Sequence, residues 1–324
     1  MSDHERLAPL GSAGSDKRDL GTLIVIGGPT ASGKTSVAVD LAKHYGTEVV
    51  SADARQFYRA LRIGAAIPTA DEMQGVKHHL IGHLDVTETM SAGAFERAAV
   101  PVIEELLSAH GKVVLVGGSG LYIDAVLNGL DPMPLGDNRI RTELQDRFRK
   151  HGLEPLLERL AQLDPAIMER IDIHNPHRVI RALEVCMASG RPFSAQRAGH
   201  AKVRSWRTVR IAMHVPRTEL YARIDARFDA MIAAGLPEEA RALLPQRELN
   251  ALQTVGYREM FAHFSGELAL DEAIALAKQH TRNFAKRQMT WLRRDEEWNW
   301  MAPSDVQGMI ALVDVTDRTK ASDQ

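Results

Sequence analysis

Residues 22–46 constrain the fold more than any other part of the chain. They combine a short β-branched apolar run (22–26), a glycine-rich loop, and an amphipathic segment that ends at Gly46. The loop is Gly28-Pro29-Thr30-Ala31-Ser32-Gly33-Lys34-Thr35, which matches the pattern G-x-x-x-x-G-K-[ST]. We therefore predict a strand, a phosphate-binding loop and a helix, in that order.

The residue types in this loop suit a phosphorylated ligand. Backbone N–H groups at the loop and the helix N-terminus can converge on phosphate oxygens. Lys34 adds a positive charge, and the hydroxyl of Thr35 is placed to ligate Mg²⁺. We expect eight residues, 28–35, to bind phosphate, with Mg²⁺ as cofactor and Thr35 as its protein ligand.

Further strand patterns follow the loop and predict an α/β fold. A second strand is expected in "TEVVSAD" (47–53). A later one is expected in "GKVVLVGG" (111–118), which runs through a Gly-Gly turn into another helical pattern. Alternating strands and helices favour a parallel sheet, here a P-loop NTPase-like core. Strand signals vanish from about Asp137, so we predict a core of residues 21–136 and 205–324, interrupted by a helical insertion at 137–204.

Composition excludes several classes of protein. Hydrophobic residues make up 44% of the chain and charged residues 25%, and no apolar run approaches the length of a bilayer span. The first 20 residues lack the apolar segment of a secretory signal, so we expect a flexible tail and a cytoplasmic protein. A single cysteine, Cys186, excludes internal disulfides and multi-thiolate zinc sites, and its apolar neighbours predict a packing role.

Parts that a nucleotide hydrolase needs are missing. Such enzymes usually place a metal-binding Asp at the end of a later strand, whereas "VVLVGG" leads into Gly117-Gly118-Ser119-Gly120. The carboxylate in the right position is Asp53, after the second strand. Because the carboxyl ends of parallel strands line the ligand crevice, Asp53 is a candidate general base. The alternative is a helix N-cap.

Seven segments together resemble the tRNA dimethylallyltransferases, also called tRNA isopentenyltransferases, of the bacterial type without a zinc finger. They occur in the family's order and extend from about Gly21 to Asp295. The segments are "GPTASGKT", "SADARQFYRALRIG", "HHLIGHLD", "VLVGGSGLYIDAVLNGL", "NPHRVIRALEV", "LQTVGYREM" and "TRNFAKRQMTWLRRD".

The resemblance implies a specific reaction. The loop would hold the diphosphate of dimethylallyl diphosphate, and the dimethylallyl group would pass to the N6 amine of the adenosine immediately 3′ of the tRNA anticodon. It further implies that Asp53, Lys34, Thr35 and Ser119 are catalytic. The tRNA contacts that it implies are Asp53, Ala54, Arg55, Gln56, Ser119, His177, Arg178, Val179, Ile180, Arg181, Arg258, Arg282, Lys286 and Arg287. No protein partner is implied, and a monomer is expected.

Three positions depart from the family's pattern. Ala54 stands where a serine is common, and Ala65 and Ile67 replace a threonine and a lysine in the run before Pro68. These departures remove hydroxyl groups and one charge. We expect them to change the level of activity rather than its type.

Several patterns allow a structural and a functional interpretation. Lys278, Arg282 and Lys286 form one helix face that could bind RNA phosphates or simply be solvated. The same choice applies to Arg139, Arg141, Arg147, Arg149 and Lys150. Trp291, Trp298 and Trp300 are expected to pack rather than stack on bases, and His78, His79 and His83 to pack or line the crevice rather than bind a metal.

Two other functions also fit parts of the sequence. A small-molecule or nucleotide kinase would use the same loop and the same Asp53, and a non-catalytic nucleotide switch or RNA-binding module would use the loop alone. Neither explains the segments "GGSGLYID", "VGYRE" and "AKRQMTWLRRD" together.

Overall fold

The computed structural model describes residues 20–131, 133–134, 136–197, 199 and 202–318. The predicted tail, apart from Leu20, lies outside the described residues. The rest divides into two compact units, one of residues 20–127 with 204–318 and one of residues 128–203. The smaller unit thus begins nine residues before Asp137, because residues near 130 pack within it. For example, the Asp131 carboxylate accepts a hydrogen bond from the Gly199 N–H.

The larger unit contains a parallel six-stranded sheet, which confirms the predicted α/β class. Its strands are β1 (Thr22–Gly27), β2 (Val49–Ser51), β3 (His78–His79), β4 (Lys112–Gly117), β5 (Arg207–Met213) and β6 (Asn299–Met301). Their order is β3-β2-β4-β1-β5-β6. β1 is central and pairs with β4 and β5, so that Gly27 lies beside Gly117 and Ala212. β3 and β6 were too short to show a strand pattern in the sequence.

Helices of the larger unit cover both faces of this sheet. In chain order the helices are α1 (Lys34–Tyr45), α2 (Ala70–Met73), α3 (Ala92–His110), α4 (Gly120–Asn128), α5 (Asn138–His151), α6 (Glu154–Leu163), α7 (Pro176–Ser189), α8 (Arg217–Ala233), α9 (Leu236–Leu243), α10 (Tyr257–Phe264), α11 (Leu270–Leu292) and α12 (Val306–Arg318). All six residues of β1 are buried, because alternate side chains enter separate clusters on the two faces. The sheet therefore holds the loops at its carboxyl edge on a rigid base.

The smaller unit is helical. Helices α5, α6 and α7 pack around one apolar cluster that includes Leu144, Leu160 and Leu183. Cys186 is buried in this cluster, and its Sγ accepts a hydrogen bond from the Phe193 N–H. Burial raises the pKa of the Cys186 thiol, in agreement with a packing role.

Within the described residues, none of the helices combines the length and the apolar character that a bilayer span requires.

Candidate active site

A cavity of about 740 Å³ lies at the carboxyl edge of the sheet in the larger unit. The phosphate loop contributes Thr30, Ala31, Lys34 and Thr35 to its wall. Residues 53–56 line it after β2, and residues 116–122 line it at the end of β4. The remaining wall comes from residues 64–66, from α8, the start of α9 and α11, and from the segment that leads into α10. Parallel topology thus brings the candidate base and the phosphate loop into one cavity.

The phosphate loop keeps the N-terminus of α1 available to an anion. Ala31 and Gly33 have positive φ values of 61° and 87°, which turns the chain sharply before the helix begins at Lys34. The helix has no side-chain N-cap and no acidic residue in its first turn. Its first N–H groups and the positive end of its dipole therefore have no internal anion to satisfy them.

Lys34 is partly buried at the start of α1 and has no carboxylate partner within the described part of the chain. Its Nζ donates to the Pro29 carbonyl at 2.5 Å. Burial lowers the pKa of Lys34 to about 8, a shift that nearby Asp53 opposes and nearby Arg227 reinforces. A bound anion would replace the missing counter-charge and favour the protonated ammonium group.

Asp53 is not a helix N-cap, because no helix begins after β2 until α2. Its Oδ1 accepts a hydrogen bond from the Arg55 N–H at 2.9 Å, which is a local turn of the Asx type. Its Oδ2 accepts no hydrogen bond within the described residues. One carboxylate oxygen therefore fixes the side chain, and the other is available in the cavity.

Ser119 fixes the backbone next to Asp53. The Ser119 Oγ accepts a hydrogen bond from the Ala54 N–H at 3.0 Å. The glycines around Ser119 allow this close approach: a Cβ at Gly117 would lie 2.3 Å from the Ala52 carbonyl oxygen. A Cβ at Gly120 would lie 2.3 Å from the Trp291 ring. The hydroxyl of Ser119 thus has a structural partner in addition to facing the cavity.

Arg227 and Gln288 are among the cavity residues that the sequence analysis did not predict. Arg227 of α8 lines the cavity close to Lys34 and Asp53, and burial lowers the pKa of its guanidinium while Asp53 raises it. Gln288 of α11 lines the cavity and is only 7% exposed. The available signal in each case was a polar residue within the apolar stripe of an amphipathic helix.

The three departures at Ala54, Ala65 and Ile67 leave the neighbouring loop anchored through its backbone. The Glu239 carboxylate accepts hydrogen bonds from the N–H groups of Ile63 and Gly64. The Gln56 Nε2 donates to the Ala66 carbonyl at 3.0 Å. Ala54 itself is held by Ser119 through its N–H. The lost hydroxyls and charge are therefore not needed to hold residues 63–66 in place.

The basic residues of α11 that were considered as tRNA contacts differ in whether they form ion pairs within the protein. Lys278 and Arg282 each form an ion pair at 2.6 Å, with Asp229 and Asp225 of α8 respectively. Lys286 is exposed and forms no ion pair within the described residues. Arg287 of α11 and Arg258 of α10 both line the cavity. Arg287 lies over the Phe284 ring at 5.7 Å.

The predicted tRNA contacts in the smaller unit, residues 177–181 on α7, include both buried and exposed side chains. Val179 and Ile180 are buried in the apolar cluster of that unit, so their side chains pack there. His177 and Arg178 are exposed. The Arg181 guanidinium donates hydrogen bonds to the buried Glu184 carboxylate and to the Pro134 carbonyl.

The basic residues of α5 also differ in their partners. Arg141 pairs with the buried carboxylate of Glu184, and Arg149 pairs with Asp146 at the surface. The basic side chains that line a shallow groove here, Arg147 and Lys150, lie beside Glu143 and Asp146.

The aromatic and histidine residues differ in their surroundings: Trp298 is buried, Trp291 lines the cavity, and Trp300 is exposed, contrary to the packing role expected for it. Trp291 donates from Nε1 to the Asp124 carboxylate at 3.3 Å and contacts Trp298 edge to face. His79 pairs with Glu48, and His78 contacts the Val76 carbonyl. Across the described ranges, no group of three or more His, Cys, Asp or Glu side chains is placed to hold a metal ion.

Comparison with known proteins assigns the chain to a family. A sequence model described as IPP transferase matches residues 56–295. The tRNA dimethylallyltransferase of Christiangramia forsetii is 46% identical over 278 residues, which cover 86% of this chain and 92% of that protein. The corresponding protein of Cytophaga hutchinsonii is 42% identical and covers 90% of this chain and 96% of its own length.

Solved structures agree with this assignment. The full-length tRNA isopentenylpyrophosphate transferase from Bacillus halodurans has a TM-score of 0.68 at 34% identity, covering 93% of this chain and 99% of that one. A eukaryotic dimethylallyltransferase acting on tRNA has a TM-score of 0.72 at 23% identity, over 89% of this chain and 75% of that one, which is a likeness of fold. The chain therefore belongs to the tRNA dimethylallyltransferase family of transferases.

Proposed function

We propose that this protein transfers the dimethylallyl group of dimethylallyl diphosphate to the N6 amine of the adenosine immediately 3′ of the anticodon in tRNA, releasing diphosphate. The observation that carries the proposal is the single cavity shared by the phosphate loop and Asp53. At the end of β4 this cavity has a glycine turn in place of the metal-binding carboxylate of nucleotide hydrolases. Membership in the family supports the same reaction.

The phosphate loop would stabilise the leaving group. As the C1–O bond of the allyl donor breaks, its electron pair moves to the diphosphate, whose negative charge rises. The Lys34 ammonium, the Arg227 guanidinium and the N–H groups at the start of α1 face this charge. They therefore bind the transition state more strongly than the ground state.

Asp53 would accept the proton that the acceptor loses. The N6 lone pair forms the new C–N bond, and the amine then gives one proton to the open Oδ2 of Asp53. Charge and atoms balance without a covalent enzyme intermediate. The adenine must leave the stack of the anticodon loop to reach the cavity, which an unpaired base does at a cost of only a few kcal/mol.

The residues present fit a magnesium ion. The Thr35 hydroxyl lines the cavity and forms no side-chain hydrogen bond within the described residues. Mg²⁺ prefers oxygen ligands and usually takes one or two from the protein and others from substrate phosphates. We propose that Thr35 is its protein ligand. When bound, the ion would neutralise part of the diphosphate charge.

The tRNA would be bound by cations outside the phosphate loop. In the larger unit we propose Arg258, Lys286 and Arg287, which line the cavity or are exposed on α11. In the smaller unit we propose the exposed His177 and Arg178. We also propose that the enzyme is a monomer and that it acts on its tRNA in the cytoplasm.

The test is transfer of label from radiolabelled dimethylallyl diphosphate to unmodified tRNA with Mg²⁺. A second tRNA has guanine in place of the adenine 3′ of the anticodon, and a third reaction contains excess ATP. Label should enter only the adenine-bearing tRNA and should not decrease with ATP. Absence of label together with tight ATP binding would support a kinase instead.

A further inference from the structure

Gln288 connects the phosphate loop to the turn that follows β4. Its Oε1 accepts a hydrogen bond from the Thr30 N–H at 2.9 Å. Its Nε2 donates to the Gly118 carbonyl at 2.9 Å. The side chain is almost completely buried. Both ends of one amide are therefore satisfied by two loops that are far apart in sequence.

The connection continues to Asp53. The residue after Gly118 is Ser119, whose Oγ accepts a hydrogen bond from the Ala54 N–H. Ala54 follows Asp53 directly. An unbroken path thus runs from the phosphate loop through Gln288 and Ser119 to the candidate base, and we call it the Gln288 bridge.

The packing around the bridge leaves its members little freedom. A Cβ on Gly118 would lie 2.2 Å from the Gln288 Nε2, so the amide lies directly against the backbone of the turn. One helical turn further along α11, Trp291 lies equally close to Gly120. Residues three apart share a helix face, so α11 contacts the turn at two successive points.

Core packing alone does not explain a glutamine at this position. A buried amide needs hydrogen-bond partners to offset the loss of hydration, whereas an apolar side chain of similar size would not. Gln288 occupies the Thr30 N–H, so this N–H of the phosphate loop is not available to a bound phosphate. The diphosphate is then left with the other loop amides, Lys34 and the Thr30 hydroxyl.

We propose that Gln288 is a positioning residue that sets the distance between the donor diphosphate and the Asp53 carboxylate. The proposal rests on the proposed transferase activity. Donor and acceptor must meet in line, and a misplacement of about 1 Å can slow such a reaction about 100-fold. The Gln288 bridge is the hydrogen-bonded path by which the loop that holds the donor and the segment that holds the base keep their spacing.

The first test compares Gln288→Met with Gln279→Met. Gln279 lies on the same helix, is exposed, and has no hydrogen bond within the described residues. Gln288→Met should lower kcat at least tenfold, with the dissociation constants of donor and tRNA within threefold of wild type. Gln279→Met should match wild type in kcat and in the dissociation constants of donor and tRNA. An unchanged kcat in Gln288→Met overturns the proposal, whether thermal stability falls (core packing only) or the donor binds more tightly (competition for the Thr30 N–H).

A second measurement does not depend on activity. Amide hydrogen exchange at Thr30 and Ala54, followed by NMR in the free protein, should speed up at both sites in Gln288→Met and at neither in Gln279→Met. Faster exchange at Thr30 alone would show that the bridge does not extend to the Asp53 segment, and would overturn the proposal. If wild type shows no transfer, the proposed function fails while this measurement still decides on the bridge.

A double-mutant cycle gives a third check. If Ser119 and Gln288 act on one path, Ser119→Ala should lower kcat much less in the Gln288→Met background than in wild type. Additive effects would overturn the shared path.

Should Gln288→Met fail to fold, Gln288→Glu replaces it, because it keeps an acceptor for Thr30 but sets a carboxylate oxygen against the Gly118 carbonyl. We expect at least a tenfold loss of kcat there too, and full activity would overturn the proposal.

Discussion

In the described part of the chain, charged side chains are paired with one another at the amino end of the parallel sheet and are not paired at its carboxyl end. At the amino end, Asp317 of α12 accepts hydrogen bonds from the Thr22 hydroxyl at 2.5 Å and from Lys112 at 2.8 Å. Arg207 approaches the same carboxylate to 3.6 Å. These side chains satisfy one another and join α12 to the starts of three strands. Charge at this end serves stability.

At the carboxyl end, charges lie close together but are not paired. Lys34, Arg227 and Asp53 influence one another electrostatically, yet no ion pair joins them within the described residues. Lys34 donates instead to a loop carbonyl, and one oxygen of Asp53 is open. Unpaired charge at a cavity is costly unless a ligand completes it. The two ends should therefore respond differently to the same kind of mutation.

The largest expected effect is on catalysis at the carboxyl end. Asp53→Asn keeps an oxygen that can accept the Arg55 N–H but cannot accept the amine proton. General base catalysis contributes about 10²- to 10⁴-fold, so we expect kcat to fall about 10³-fold. Single-turnover transfer of labelled dimethylallyl groups measures this loss.

The control for Asp53→Asn is binding and stability. The tRNA dissociation constant and the melting temperature should stay at the wild-type values, because the turn at residues 53–55 is retained. Loss of tRNA binding to the same degree as loss of kcat would assign Asp53 a structural role and erase the contrast between the two ends.

The amino end should show the reverse pattern. Asp317→Ala leaves the buried Thr22 hydroxyl and Lys112 without their acceptor. Removing a charged hydrogen-bond partner costs about 2 kcal/mol of unfolding free energy, about a 30-fold change in the unfolding equilibrium. Urea denaturation should show this loss, while kcat of the folded enzyme stays unchanged. A tenfold drop in kcat would mean that the amino end reaches the site.

The same variant carries a pH signature. Burial works to raise the pKa of Asp317, but hydrogen bonds from Lys112 and Thr22 outweigh burial and lower it below its ordinary value of 3.8. A lowered pKa stabilises the fold above that ordinary value, and the contribution is lost as pH falls through the folded-state value. The stabilities of wild type and Asp317→Ala should therefore converge below about pH 3.8.

Local patterns in the sequence predicted the carboxyl end better than the amino end. The phosphate loop, Asp53 and Ser119 each follow a recognisable strand, and the parallel-sheet rule then places them at one edge. Asp317 lies nearly 300 residues from Thr22 and follows no motif. Its role depends on where α12 packs, which periodicity does not specify.

Arg227 and Gln288 were missed for a related reason. Each belongs to a long amphipathic helix whose pattern predicts a buried stripe but not what that stripe faces. The same limit applies to Lys278 and Arg282. Their spacing suggested a phosphate-binding face, whereas the acidic residues that neutralise them lie on α8, some 50 residues earlier.

The next prediction concerns the pH dependence of donor binding. The pKa of Lys34 is about 8, lowered by burial, so the free enzyme loses this charge as pH rises through 8. A diphosphate binds the protonated form, and the donor dissociation constant should rise about tenfold between pH 7 and pH 9. Calorimetry in two buffers of different ionisation enthalpy should detect proton uptake on binding near pH 8.

Lys34→Met provides the control for that pH dependence. Its donor binding should be weak at every pH, without the change between pH 7 and 9. A persistent tenfold change would assign the titration to another group at the carboxyl end.

The smallest expected effect separates two lysines eight residues apart on α11. Lys286 is exposed without an ion pair within the described residues, whereas Lys278 pairs with Asp229 at 2.6 Å. If unpaired charge marks the binding surface, Lys286→Ala should weaken tRNA binding about threefold, as expected for one exposed charge. It should also lower the salt-dependence slope by about 0.7 to 0.9, the value for one phosphate contact.

Lys278→Ala should leave the tRNA affinity and the salt-dependence slope unchanged, because Asp229 already neutralises that lysine. Equal losses in the two variants, measured by filter binding from 50 to 300 mM salt, would show that RNA competes with Asp229 for Lys278, so that internal pairing does not remove a cation from the tRNA surface.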